Sequence, residues 1–312
     1  MNALKSPLVF LALIALTATS LFAENRVPDN RNGIQEFANP PFHLPAGVVM
    51  KADIVYAAVD SQDLHLDLFL PAAGSGPFPA VIYVHGGLGS SREAKAQFHP
   101  QAAYMASKGF AGACVQYRKL PEARYPAAIF DLKAAIRWLR ANAAKYHIDP
   151  DKIGAAGGSG GGNLVGMLGT TVDDPAYEGT VGDNLGVSSR VSAVAAFNPA
   201  VDLVEYRNLK EEPNVIAAYI GVDFAEHPQI WVAASPIYHV GAKSAPFLFL
   251  HGDADADVPY RQSTEMADRL RAVGVRAEIY TAPGAGHGFF NSPPWFEPTL
   301  KRMEGFFSET LH

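Results

Sequence analysis

Disulfides are the first thing this chain does without: it holds a single cysteine, Cys114, in 312 residues. No intramolecular bridge can form, so stability must come from the core alone. Cys114 lies in the run AGACVQY, which reads as a core strand. A thiol there is expected to be buried and structural, not nucleophilic. Charge is also sparse, at 18% Asp, Glu, Lys and Arg with a net −6 spread along the sequence. No Lys/Arg cluster is dense enough to neutralise phosphates, which excludes a nucleic-acid partner. Metal-ligand spacings such as HExxH are missing, the glycine-rich stretch lacks the lysine of a phosphate loop, and no register of its glycines gives GxGxxG. No metal and no organic cofactor is therefore expected.

Long apolar runs are missing too, with one exception at the start. Lys5 precedes residues 8–16 (LVFLALIAL), too short to span a bilayer, and a small-residue region ends at Ala23. These are the parts of a cleaved secretory peptide, residues 1–23, with Leu21 at the −3 position a weaker fit than a small residue. The rival reading is an uncleaved anchor; no cysteine follows to carry a lipid. The expectation is a secreted or periplasmic protein without membrane contact after cleavage. Residues 24–48, rich in Pro and Asn, read as a surface arm ahead of one domain, 49–312.

What is present is a globular composition, 48% hydrophobic, with strands and helices in alternation. Leu64, Leu66, Leu68 and Leu70 repeat every second residue, a strand with one wetter face. Residues 80–84, 111–115 and 247–250 are continuous apolar runs, as in strands covered on both sides. Further strands are read at 191–197 and 277–280. Between them, residues 127–145 carry Ile129, Leu132, Ile136, Leu139 and Ala143 at helical spacing, with Asp131, Lys133, Arg137 and Arg140 opposite. Residues 163–171, 262–273 and 298–310 read as helices as well. This alternation predicts an α/β fold with a mostly parallel sheet, helices on both faces and an antiparallel hairpin at one edge. Residues 201–243 interrupt the rhythm and read as a lid or pocket wall.

Four stretches carry chemistry. Residues 152–170 (KIGAAGGSGGGNLVGMLGT) place Gly157-Gly158-Ser159-Gly160-Gly161 between a strand and a helix, the context in which G-x-S-x-G presents a serine nucleophile. Its flanking glycines admit a strained turn, and the helix start supplies N–H groups. A flexible linker would not be flanked by IGAA and LVGML. Residues 83–90 (YVHGGLGS) follow a buried strand, and their bare glycine N–H groups, with that of Gly160, suit an oxyanion hole; His85 is expected to be structural. Residues 251–259 (HGDADADVP) fail as a calcium loop, since Val258 and Thr264 stand where Gly and Glu are needed. They read instead as a loop presenting one carboxylate to an imidazole, Asp255 first and Asp257 in reserve. Asp253 is expected to hold the loop backbone. Last, His287 sits in the glycine-framed loop PGAGHGF after the final strand. The chain order Ser, Asp, His fits this architecture, in which the histidine takes the serine's proton and the carboxylate holds the imidazole.

From about residue 50 onward the sequence resembles the esterase/lipase side of the α/β-hydrolase superfamily, near its feruloyl-esterase-like and hormone-sensitive-lipase-like groups. The matching runs are YVHGG at 83–87, YRKLPEARYPAAIFDLKAAIRWLRANAAKYHIDPDKIG at 117–154, the serine motif, ASPIYHV at 234–240, HGDADADVP at 251–259 and GAGHGF at 284–289. The resemblance implies Ser159 as nucleophile, Asp255 as acid, His287 as base, and oxyanion donors at the backbones of Gly87, Leu88 and Gly160. Leu88 replaces a glycine common in the family, which alters the acyl pocket; Gly160 replaces an alanine and keeps its N–H. A small-molecule or polysaccharide-linked ester is the implied substrate. Two other readings share features of the sequence. A prolyl-oligopeptidase-type serine peptidase has the same core but usually carries a large propeller domain, and a non-enzymatic binding module generally lacks a triad member.

Overall fold

The computed structural model describes residues 42–87, 92–209 and 215–311. The segment read as a signal peptide, and residues 24–41 of the arm, lie outside them, as does Leu88. Among the described residues an eight-stranded sheet runs in the order β1-β2-β4-β3-β5-β6-β7-β8. The strands are β1 (Val48–Val59), β2 (Gln62–Pro71), β3 (Phe78–Val84), β4 (Ala111–Val115), β5 (Ile148–Gly158), β6 (Val194–Phe197), β7 (Phe247–Gly252) and β8 (Ala277–Ala282). β1 and β2 form the expected antiparallel hairpin and β2 joins β4 antiparallel, while all pairings from β4 to β8 are parallel. The carboxyl ends of β3, β5, β6, β7 and β8 therefore share one edge, where ligands meet folds of this kind.

Helices cover both faces: α1 (His99–Ser107), α2 (Ala127–Ala141), α3 (Ala143–Tyr146), α4 (Gly160–Thr170), α5 (Leu203–Tyr206), α6 (Val215–Ile220), α7 (Pro228–Ala233), α8 (Arg261–Ala272) and α9 (Phe296–Thr310). The alternation along β3 shows how the sheet divides the core. Ala80, Ile82 and Val84 join a cluster with Ile129, Leu132 and Ile136 of α2 and Met266 and Leu270 of α8. Val81 and Tyr83 join another with Met105 of α1 and Met303 and Phe306 of α9. Cys114 is buried in the second cluster, and burial raises its thiol well above the ordinary value. The region 127–145 is two helices, not one: α2 ends at Ala141 and α3 begins at Ala143, with Asn142 between them at φ −98° and ψ 11°.

Two faces expected to be wet are dry. Along β2, His65, Asp67 and Phe69 are as buried as the leucines between them. A 3-10 turn, Arg92–Phe98, runs into α1 there, and Asp67 accepts from Lys95 Nζ at 2.5 Å and pairs with His99 Nε2 at 2.9 Å. Burial alone would raise the Asp67 carboxyl, but these bonds and the Asp53 N–H bring it down to about 2. On α2, Asp131, Lys133 and Arg137 are buried. Asp131 takes Arg118 Nη2 at 2.8 Å, and Lys133 and Arg137 converge on Glu178 at 2.8 and 3.1 Å. The helical period marked the polar side correctly, but the segment after α4 folds back over it.

The described residues within 201–243 form α5, α6, α7 and 3-10 turns, with their own cluster of Leu203, Tyr206, Ile216, Tyr219, Ile220 and Trp231 reaching Val258 of the β7 loop. Trp231 is fully buried and its indole N–H donates to the Val222 carbonyl at 3.1 Å. Among the described residues no helix is long and apolar enough to cross a membrane.

Candidate active site

β5 ends at Gly158, and Ser159 follows with φ +54° and ψ −120° before α4 begins. A positive φ on a residue with a Cβ costs about 1–3 kcal/mol and persists only where the surroundings impose it. Here they do. The Ser159 N–H donates to the Phe197 carbonyl of β6 at 2.9 Å, and its own carbonyl accepts from Asn163 N in the first helical turn at 3.0 Å. A Cβ at Gly157 would stand 2.6 Å from the Gly161 carbonyl oxygen, and one at Gly161 would overlap the carbonyls of Val84 and His85. The glycines of the motif thus let the turn, the helix and the end of β3 touch backbone to backbone.

The structure brings the serine, histidine and aspartate together. His287 Nε2 lies 2.9 Å from Ser159 Oγ, and His287 Nδ1 lies 2.7 Å from Asp255 Oδ2. Asp255 is the carboxylate that meets the imidazole; Asp257 is exposed, and its backbone N–H donates to Asp255 Oδ1 at 2.9 Å, as does that of Val258. Burial pushes the Asp255 carboxyl up, but His251, His287 and the Val258 N–H outweigh it and hold the group well below the usual range. It stays ionised, as an imidazole-orienting group must. Asp253 holds a backbone, but of the other loop: its Oδ1 accepts from Gly284 N at 2.6 Å, tying the histidine loop to the aspartate loop.

Of the expected oxyanion donors, Gly87 and Gly160 lie beside Ser159 along one cavity; Leu88 is outside the described residues. Gly86, the other glycine of the pair, has its N–H occupied, donating to Gln97 Oε1 at 2.6 Å. His85 stands behind the loop and not in it. Its ring stacks on Tyr117 at 4.4 Å between centroids, and the Tyr117 hydroxyl donates to the His85 carbonyl at 3.0 Å. Burial, reinforced by Lys119 and opposed by the Gly86 carbonyl, lowers its imidazole to about 4. It is neutral near pH 7.

Three neighbours carried no signal strong enough to single them out. His251 sends Nε2 toward Asp255 Oδ2 at 3.3 Å and toward the Val258 carbonyl at 2.9 Å, with Nδ1 on Ser263 Oγ at 2.7 Å. Its place two residues before Asp253 was the available hint. Gln97 lies eleven residues beyond Gly86 with no motif around it. Asn198, directly after β6, puts its amide nitrogen 3.3 Å from both ring nitrogens of His287.

The cavity has a volume of about 80 Å3 and is lined by Ser159, Gly160 and Gly87 on one side and by Leu203, Ile216 and Tyr219, among others, on the other. His287 is not part of its wall. Among the described residues no group of His, Cys, Asp and Glu is placed to hold a metal ion.

Comparison with known proteins adds three findings. The family model described as BD-FAE matches residues 66–270. Esterase LipC of Mycobacterium tuberculosis is 34% identical over 224 residues, covering 68% of this chain and 53% of that protein. The chain spans about half the length of this relative and of LipQ from the same organism. Among solved structures, a truncated carbohydrate esterase from gut microbiota superposes with a TM-score of 0.76 at 32% identity, covering 84% of this chain and 96% of that one. The apo form of Thermogutta terrifontis esterase 2 superposes with a TM-score of 0.72, also at 32% identity, covering 86% and 97%.

Proposed function

The chain belongs to the BD-FAE family, within the α/β-hydrolase superfamily, and on that footing we propose that it is a serine carboxylic ester hydrolase working through an acyl-enzyme. One observation carries the reading: an unbroken line of contacts from Asp255 through His287 to Ser159, at 2.7 and 2.9 Å, ends beside a half-open cavity. Ser159 Oγ attacks the ester carbonyl while His287 Nε2 takes its proton. Asp255 fixes the tautomer and stabilises the imidazolium, and the backbone N–H groups of Gly87, Leu88 and Gly160 receive the oxyanion, each donor worth about 3 kcal/mol of barrier. His287 returns the proton to the departing alcohol, then activates the water that releases the acid.

The position of the cavity supports an assignment of its occupant. The alcohol must leave past His287 Nε2, which protonates it. A cavity that touches the serine and the oxyanion donors but not the histidine therefore receives the acyl group. At about 80 Å3 it is smaller than the roughly 150 Å3 void that accommodates benzene in a protein core, which favours short acyl groups such as acetyl. Gly286, next to His287, is exposed, and a bulky alcohol such as a sugar unit is in keeping with the carbohydrate esterase among the structural neighbours. Residues 201–243 act as the pocket wall or lid, and residues 1–23 direct the protein out of the cytoplasm.

The test is a panel of 4-nitrophenyl esters of rising acyl length, with methyl ferulate and acetylated xylan, on wild type and Ser159→Ala. Activity falling sharply beyond butyrate and disappearing in the variant is expected. Equal turnover by Ser159→Ala would remove the nucleophile, and methyl ferulate as the preferred substrate would remove the acyl assignment. Mass spectrometry of the exported protein, with a new terminus after Ala23 expected, tests the localisation.

A further inference from the structure

The loop after β3 shares out its backbone groups among fixed partners. The peptide joining His85 to Gly86 is held at both ends: its carbonyl accepts from the Tyr117 hydroxyl at 3.0 Å, and its N–H donates to Gln97 Oε1 at 2.6 Å. In the next peptide the Gly86 carbonyl accepts from His85 Nδ1 at 3.0 Å. A trans peptide points its N–H away from its carbonyl. With that carbonyl drawn back to the buried His85 ring, the Gly87 N–H faces the opposite way. It has no hydrogen-bond partner among the described residues, and Gly87 lines the cavity beside Ser159.

Among the described residues, two side chains from other elements hydrogen-bond to these peptides; the His85 ring belongs to the loop and moves with it. Tyr117 grips carbonyls, that of His85 and, at 3.3 Å, that of Gly87. Gln97 grips an N–H. A peptide held by its carbonyl alone can pivot about that bond, and the open backbone space of glycine offers little resistance. The glycine concerned abuts the nucleophile: a Cβ on Gly86 would stand 2.9 Å from the Gly158 carbonyl oxygen and 3.3 Å from Ser159 Cβ. A small pivot there re-aims the next N–H relative to Ser159.

Gln97 is mounted to resist such a pivot. It is buried in the 3-10 turn Arg92–Phe98. Phe98 beside it stacks on Tyr83 of β3 at 5.9 Å and on Phe290 at 5.6 Å, and Lys95, two residues earlier, pairs with Asp67 of β2. The amide oxygen is thereby fixed to the same sheet that carries the serine.

We propose that Gln97 is a positioning residue for the oxyanion hole: by holding the Gly86 N–H it fixes the plane of the loop peptides, so that the Gly87 N–H meets the charge developing on the ester oxygen. This rests on the triad reading above. The oxyanion forms in acylation and again in deacylation. A misaimed donor slows both steps alike, which lowers kcat and leaves KM near its original value.

The test uses Gln97→Met, which keeps the length of the side chain and lacks the acceptor, with Gln97→Leu as a second shape. With 4-nitrophenyl acetate, kcat of the folded fraction is expected to fall about a hundredfold, the lower end of the loss on removing one oxyanion donor, with KM within a few-fold. Ki for a short alkyl trifluoromethyl ketone, whose carbonyl carbon takes up Ser159 Oγ to leave a stable oxyanion, is expected to rise in step. An unchanged kcat, a loss confined to KM or an unchanged Ki would overturn the positioning role, since a residue that only ties the fold together lowers Tm and moves none of these. Amide exchange in the wild type needs no variant: Gly86 is expected to exchange slowly throughout, and Gly87 quickly until the ketone binds. The opposite order would overturn the proposal as well. Ser159→Ala in parallel keeps the two ideas apart: if it is inactive while Gln97→Met keeps its kcat, the inference fails and the triad reading stands. If it remains active, both fall.

Discussion

The carboxyl edge of the sheet and the far side of α2 both hold polar groups out of water, but on different terms. Behind α2 the charges are matched: Asp131 with Arg118, and Lys133 and Arg137 with Glu178, which also accepts from Ser189 at 2.8 Å. The cations reach carbonyls as well, Lys133 that of Thr171 and Arg137 that of Val181. Only Arg137 Nε there lacks a partner among the described residues. At the sheet edge, Ser159 and Asn198 hold positive φ, and His85 Nε2, Asn198 Oδ1 and the Tyr219 hydroxyl are buried without hydrogen-bond partners among the described residues. One region spends its polar groups on holding together; the other tolerates strain around atoms that must be free to react. Substitutions should therefore separate cleanly, costing activity without stability at the edge and stability without activity behind α2.

The sharpest form of that contrast is Ser159→Gly. Removing the hydroxyl is expected to lower kcat by about a millionfold, the scale for loss of a triad serine. Relieving φ +54° should add about 1 kcal/mol of stability, so thermal melting should shift upward in an inactive protein; a lower Tm would break the comparison at its centre. Next, Asp255→Asn should cost about 10^4 in kcat by losing the tautomer control of His287, with Asp257→Asn within a few-fold of wild type. A large loss in Asp257→Asn alone would move the carboxylate role to it. Behind α2, Glu178→Ala leaves Lys133 and Arg137 buried and unmatched, and denaturant titration should show a loss of about 3–5 kcal/mol, with kcat/KM of the folded fraction unchanged.

The smallest effect is an acid one. Asp67 has a folded value of about 2, below its ordinary 3.8. A depressed carboxyl stabilises the native state fully above the unfolded value and loses that contribution as pH falls toward the folded one. Melting temperature should therefore drop between about pH 4 and pH 2, and Asp67→Asn should flatten this part of the curve while lowering the plateau above it.

The same contrast explains what could be read from sequence. Ser159, Asp255 and His287 were legible because each stands in a short segment whose glycines or acidic repeats exist for the residue they surround. The strands were legible because burial on both faces leaves unbroken apolar runs, as at 80–84. The coverage of Lys133 and Arg137 was not, because it depends on Glu178, more than forty residues from each, and no local period reports that. Asn198 and Gln97 were missed for the same reason. Their roles lie in what they touch across the sheet edge, while their neighbours in sequence are those of any strand end or helix start.

The glycine seam beneath the serine has one more effect. Because the first turn of α4 rests on the last carbonyls of β3 with no side chain between them, the spacing between the attacking oxygen and the loop that follows β3 is inherited from the curvature of the sheet. Rotamer exchange in the surrounding walls leaves it untouched. Such a mounting lets the walls vary independently: side chains such as Leu203 and Ile216 can be exchanged while Ser159 keeps its place on the sheet.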